Sequence, residues 1–158
     1  EVAYNAPSRV RALVLCGAKA GHRPEPALRD EALRVLADDG AGAAWDRYWR
    51  PLFGPHAAAD LVDRARSTAV AIGAPALAAG VRAFHGRPDR SDFVDAWPGR
   101  VHVVAGEYDT APAIERQRAD AARMRATFHV IAGVGHYVPI EAPGELAAIV
   151  ATAIDDVA

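Results

Sequence analysis

A chain of 158 residues, 51% hydrophobic and 24% charged, is of single-domain size and has enough apolar side chains to bury a core. Its net charge of -2, with both signs mixed and no basic stripe, excludes the usual electrostatic case for nucleic acid or an anionic membrane surface as partner. No apolar run approaches the roughly 20 residues of a membrane span, and no charged n-region with an apolar h-region precedes the first apolar run.

Glu1 stands where an initiator Met would be, and residues 1–6 read as the tail of a helix stopped at Pro7, so a preceding segment is expected. Val10 to Cys16 is short, mostly apolar and ended by Gly17, the pattern of a strand buried on both faces of a parallel sheet. Cys16 has no second cysteine to pair with. It reads as a small buried hydrophobe, in keeping with a reducing cytoplasm, and a cytoplasmic setting is the expectation.

From about Pro24 to Trp97 no strand-like run occurs. Pro51, Pro55, Pro75 and Pro88 punctuate Ala-rich helical patterns over 27–38, 42–50, 57–72 and 75–85, with a short turn at 90–95. Within them Trp45, Tyr48, Trp49 and Phe53 follow helical spacing. That spacing fits either glue between this helical region and the rest of the chain or, for Trp45, Trp49 and Phe53, the wall of an apolar substrate site.

Alternation returns at residue 100, with a strand over 100–105, a helix over 112–125, a strand over 127–131 and a helix over 143–157. Such spacing is the sign of crossovers on a parallel sheet. The last helix is the best defined, with Leu146, Ile149, Val150, Ile154 and Val157 on one stripe and Pro143 in its first turn.

The chemistry sits just past two of these strands, in Gly106-Glu107-Tyr108-Asp109 and Gly133-Val134-Gly135-His136-Tyr137. Loops at the carboxyl ends of adjacent parallel strands converge, so Asp109 and His136 are candidates for an orienting acid and its general base. The attacking atom is missing: Ser8, Ser67 and Ser91 are the only serines, and none lies in a G-x-S-x-G turn.

Other readings of these residues are weaker. Asp109 alone would suit an ordinary turn before a helix, and a solvated loop histidine would account for His136 alone. Glu107 is either a carboxylate supporting the pair or a solvated strand end. Glu107, Asp109 and His136 lack the closely spaced histidines of a metal site, so no metal and no organic cofactor is expected. His22, His56, His85, His102 and His129 have no comparable setting; His102 and His129 read as packing or sheet-edge residues. Lys19 reads as solvated, and Gly17 and Gly21 form no phosphate loop.

The segment Arg100 to Val150, with G-E-x-D after one strand, G-x-G-H after the next, and Ile140-Glu141-Ala142-Pro143 opening a terminal helix, resembles the carboxyl-terminal end of the α/β-hydrolase superfamily. Ala6 to Leu15 is similar to that family's passage from the helix behind the nucleophile into its sixth strand, and the helical middle is similar to its cap. Residues 83–92, with Arg87-Pro88-Asp89-Arg90, resemble the esterase, enol-lactonase and haloperoxidase-like members.

The resemblance implies an α/β fold, a partial α/β-hydrolase with parallel strands, flanking helices and a helical cap insertion. Core residues would be 1–23 and 98–158, and the cap 24–97. It implies Asp109 as triad acid, His136 as base, and hydrolysis of an ester, lactone or similar small apolar carbonyl substrate through a Ser outside this chain. A noncatalytic small-ligand-binding module with the same fold is the alternative. The family's first strands, oxyanion-hole loop and nucleophile elbow have no counterpart here, and the strand at residue 10 would have an open edge without them. The expected partner is therefore the amino-terminal half of the fold, as a separate chain or a removed segment.

Overall fold

Three apolar runs become three parallel strands: β1 (Ala12–Cys16), β2 (Arg100–Gly106) and β3 (Thr127–Ile131), in the spatial order β1-β2-β3. The computed structural model describes residues 1–19, 21 and 25–156. Ala12 pairs with Arg100 and His102 with Thr127, so the three strands run in step and end on the same side of the sheet. The first strand is shorter than its apolar run, because a 3-10 turn at Pro7–Arg9 carries the chain into Val10 and pairing starts only at Ala12.

Strand alternation divides the core into two layers. Val101 and Val103 face one side with Leu13, Leu15 and Phe128, and there they meet Ala3, Trp97, Ala121 and Met124. Val104 faces the other side with Val14 and Cys16, against Ile131, Val134, Val138 and Ala142. The first layer contains α1 (Val2–Asn5) and α7 (Ile114–Arg123), and the second α8 (Val138–Glu141) and α9 (Pro143–Asp155). On α9, Leu146 and Ile149 pack inward and Ala153 is buried. Val150 and Ile154, read from the sequence as part of that buried stripe, are exposed instead, since they lie on the flank of the face that meets the sheet. Val157 lies outside the described residues, as do His22 and Pro24.

Between β1 and β2 the chain forms α2 (Pro26–Asp38), α3 (Gly40–Ala44), α4 (Ala59–Ile72), α5 (Ala74–Gly86) and α6 (Ser91–Asp95). Pro at the first turn suits α2, α5 and α9, whose opening N–H groups have no helical partner in any case. Gly73, at φ 84°, separates α4 from α5 in a conformation that favours glycine. Val35, Leu36 and Ala44 form a third apolar cluster, joined by Tyr48, Trp49, Ala74, Leu77, Ala78 and Val81.

The helix expected over 42–50 is divided. The α-helical hydrogen-bond pattern stops at Ala44, a wider π turn covers Trp45–Trp49, and a 3-10 turn covers Arg50–Leu52, where Pro51 has no N–H to continue a helix.

Away from the carboxyl ends of the strands, His102 and His129 stack with ring centroids 5.3 Å apart, and His102 Nδ1 lies 3.1 Å from His129 Nε2. His102 Nε2 is 3.4 Å from Asp156 Oδ2. Burial, and secondarily His102, push the His129 imidazole pKa below its ordinary value. The two histidines are thus packing residues, as the strands around them suggest, and they also pair with each other.

Leu36 is 2% exposed and central to the third cluster. Leu36→Ala should destabilise the chain by about 2–5 kcal/mol, read as a lower urea midpoint with an unchanged slope.

Candidate active site

The site begins where β2 and β3 end. The Glu107 N–H donates to Ile131 O (3.0 Å) and the Tyr108 N–H to Val134 O (2.9 Å), so the loop after β2 is laced to the loop after β3. A Cβ on Gly106 would lie 2.0 Å from Gly135 O and 2.5 Å from Val134 O, so only glycine lets the two backbones touch there. Gly133, at φ 74°, turns the second loop, and its N–H donates to Glu107 Oε2 (2.8 Å). Glu107 thus has a structural partner in addition to solvent.

These loops bring Asp109 and His136 together. His136 Nδ1 is 3.1 Å from Asp109 Oδ1 and 3.2 Å from Oδ2. The Asp109 side chain is fully buried, whereas that of His136 is 25% exposed, so the acid is enclosed and the imidazole keeps access to solvent. Two further donors fix the carboxylate: the Ala111 N–H to Oδ1 (2.8 Å) and the Gln117 side-chain amide to Oδ2 (2.9 Å).

Gln117, 0% exposed on the first turns of α7, also donates to Pro112 O at 2.9 Å and so anchors the loop between Asp109 and the helix. Nothing in the sequence marked it. A glutamine in an amphipathic helix reads as a surface residue unless the loop before it is known to fold back.

His136 is held from the other side by the aromatic segment. Its N–H donates to Leu52 O at 2.8 Å, and the Tyr137 hydroxyl donates to Trp49 O at 3.3 Å. The Phe53 ring lies 4.6 Å from the Tyr137 ring and 6.0 Å from the Trp45 ring, while Tyr137 and His136 meet edge to face at 5.4 Å. Of the three residues read as a possible substrate wall, Phe53 therefore stands against the residue next to His136, and Trp45 is buried behind it. Trp49 joins the cluster of Val35 and Leu36.

The Glu141 carboxylate also lies here, accepting N–H bonds from Gly54, Gly135 and Tyr137. Burial, helped by the Glu141 charge, pushes the Tyr137 phenol up to about 12, so at neutral pH it is a donor.

No other nucleophilic or charged side chain among those singled out joins the pair. Burial and the Asp109 charge raise the Cys16 thiol above its ordinary value, which suppresses the thiolate a nucleophile needs. The Ser67 hydroxyl bonds Asp63 O at 2.8 Å within α4, and the Ser91 hydroxyl bonds Asp89. Lys19 pairs with Glu25 at 3.1 Å. Among the described residues no group of three His, Cys, Asp or Glu side chains is arranged to hold a metal ion.

No protein-family model matches the sequence, and no curated protein matches it. Solved structures do. A thermophilic esterase from Thermogutta terrifontis superposes with a TM-score of 0.83 at 23% identity, over 98% of this chain and 59% of the esterase. The enol-lactonase from Burkholderia xenovorans LB400 gives 0.80 at 17% identity, over 98% and 60% respectively. A hydrolase from Pseudomonas aeruginosa gives 0.77 at 22%, over 97% and 58%. An α/β-hydrolase enzyme from a deep-sea metagenome gives 0.76 at 16%, over 97% and 59%.

The chain thus spans about three fifths of the length of the structures it resembles. With its three parallel strands, flanking helices and helical excursion between β1 and β2, it has the α/β-hydrolase fold in part, as a carboxyl-terminal portion of it.

Proposed function

We propose that this chain supplies the base and the acid of a serine hydrolase acting on an ester, lactone or similar small carbonyl compound, with the serine carried on polypeptide outside it. The observation that carries this reading is the bond from His136 Nδ1 to a fully enclosed Asp109 whose two oxygens are already fixed by Ala111 and Gln117. With Nδ1 committed to the carboxylate, Nε2 is the nitrogen free to exchange a proton. It takes the serine proton as the hydroxyl attacks the carbonyl carbon, then gives it to the departing alkoxide. In the second half the same nitrogen takes a proton from water as the water oxygen attacks the acyl-serine, and returns that proton to the serine oxygen as the carbonyl–serine bond breaks and the acid leaves. Asp109 keeps the tautomer and stabilises the imidazolium between these transfers.

The oxyanion donors, like the serine, belong to the other part of the fold. Phe53, half-buried beside Tyr137 and backed by the buried Trp45, favours an apolar acyl or alcohol group. The structural likeness to an esterase and an enol-lactonase supports the ester and lactone classes.

The open edge of the sheet supports the need for a second piece. Among the described residues β1 pairs with β2 alone, and its five residues are only half-buried where the middle of β2 is fully buried. Val150 and Ile154 stand exposed on α9, the helix that packs on β1 and β2. An unprotected edge with apolar neighbours calls for a further strand and its helices.

Mixed with an amino-terminal α/β-hydrolase half carrying G-x-S-x-G, the chain should form a one-to-one complex on size-exclusion chromatography with light scattering. A chain that stays monodisperse and monomeric beside that half would remove the proposed partner. In the complex, His136→Ala should abolish nearly all turnover of activated esters and lactones, and Asp109→Asn should cost on the order of 10⁴-fold if it sets the tautomer. Circular dichroism should show both variants folded. Rates equal to the parent in both would leave a noncatalytic ligand-binding module as the reading.

A further inference from the structure

Glu141 closes the short helix α8, five residues beyond His136, and among the described residues its carboxylate bonds three backbone N–H groups. Oε2 accepts from Gly54 at 2.8 Å, both oxygens accept from Gly135 at 3.2 and 3.3 Å, and Oε1 accepts from Tyr137 at 3.3 Å. Gly135 and Tyr137 are the two neighbours of His136, whose own N–H goes to Leu52 O. Three consecutive N–H groups around the imidazole are therefore held outside any regular helix or strand, two of them by one carboxylate. The same carboxylate holds Gly54, the residue after the aromatic segment.

The fit leaves no slack. A Cβ on Gly54 would lie 2.6 Å from Gly133 O, 2.8 Å from Gly135 N and 2.9 Å from Glu141 Oε2. One on Gly135 would lie 2.4 Å from both Gly54 N and Leu52 O. Gly54 and Gly135 are buried, so losing the acceptor of their N–H groups is costly.

On this basis, and resting on the hydrolase reading above, we infer that Glu141 is a positioning residue: it fastens the His136 loop to segment 49–54 and so sets the imidazole against Asp109 and beside the aromatic wall. The role needs a carboxylate. A glutamine has one acceptor oxygen and turns its NH₂ toward an N–H that had been accepted, so the loop must shift. Misplacement of a catalytic group by about 1 Å is enough to cost roughly 10²-fold in rate.

The test has two readouts. In the full chain, the low-field proton resonance of a carboxylate-bonded imidazole Nδ1–H reports the His136–Asp109 bond without reference to activity. It should be present in the parent, absent in Asp109→Asn, and broadened or lost in Glu141→Gln. In the assembled enzyme, Glu141→Gln should lower kcat by about 10²-fold with KM changed less than about threefold, because Glu141 acts through His136 and not on substrate. Glu141→Asp, which keeps the charge one methylene short, should fall between the two, and it decides by the same readouts if the glutamine variant does not fold.

A preserved Nδ1–H signal with unchanged kcat in a folded Glu141 variant would overturn the assignment, as would a lower melting temperature with kcat intact. If His136→Ala and Asp109→Asn instead leave turnover unaffected, the hydrolase reading fails, and the resonance still shows whether Glu141 holds the imidazole.

Discussion

The site depends on a backbone-to-backbone contact that three glycines make possible. Gly106 at the end of β2, Gly135 before His136 and Gly54 after the aromatic segment each meet another main chain at a distance that leaves no room for a side-chain carbon. Because the loop after β2 and the loop after β3 touch directly, the Asp109 carboxylate and the His136 ring need to extend only a short way to meet. Gly17, at φ 55° past the end of β1, makes a looser contact of the same kind, since a Cβ there would lie 3.2 Å from His136 O. Close approach of the main chains sets the acid-to-imidazole distance, and the side-chain bonds then fix its direction.

That dependence explains what could be read from the residues and what could not. The three strands were visible as apolar runs because each contributes side chains to both layers, and β3 begins and ends where its run does. Asp109 and His136 were visible because the rule that joins them is topological: parallel neighbours, same end, adjacent loops. Gln117 was not, and Glu141 stood out only as part of the Ile140-Glu141-Ala142-Pro143 signature without a role, because their partners are backbone groups and a buried carboxylate that become neighbours only after loops fold back. Neither residue type in its local pattern differs from a solvated helix position. The break of the expected 42–50 helix at Trp45 was hidden for a similar reason, since Pro51 announces where helix must stop and not how the preceding turn widens. Val150 and Ile154 show the converse, with an apolar stripe wider than the face it covers.

The helical excursion between β1 and β2 has an apolar cluster of its own around Val35, Leu36 and Ala44, distinct from the two layers on the sheet. Its tie to the sheet's loops at the site is mostly polar: Leu52 O and Trp49 O accept from His136 and Tyr137, and Gly54 N–H donates to Glu141, with Phe53 on Tyr137 as the apolar contact. An aromatic residue in that segment can therefore sit beside the imidazole without being part of the sheet core, which leaves the segment's sequence open to variation so long as its main chain keeps the same bonds. Under the proposed function, specificity and the acid–base pair would in this way rest on different side chains but on one set of backbone contacts.

Three carboxylates crowd this end of the sheet, and their donors separate their roles. Glu107 accepts from the Gly133 N–H at an exposed turn and Glu141 from three main-chain N–H groups, so both negative charges are answered by the backbone and both act on loop shape. Asp109 accepts one main-chain N–H, one side-chain amide and the imidazole. Of these donors only the imidazole would both take and give a proton in the proposed reaction, so only at Asp109 would the carboxylate face a charge that forms and vanishes during turnover. Full enclosure of that side chain strengthens its interaction with an imidazolium, while the fixed donors from Ala111 and Gln117 keep the charged acid from requiring water. On the proposed reading the same chemical group serves as a loop staple twice and as the electrostatic partner of a base once, and the difference lies in which donors the fold directs at it.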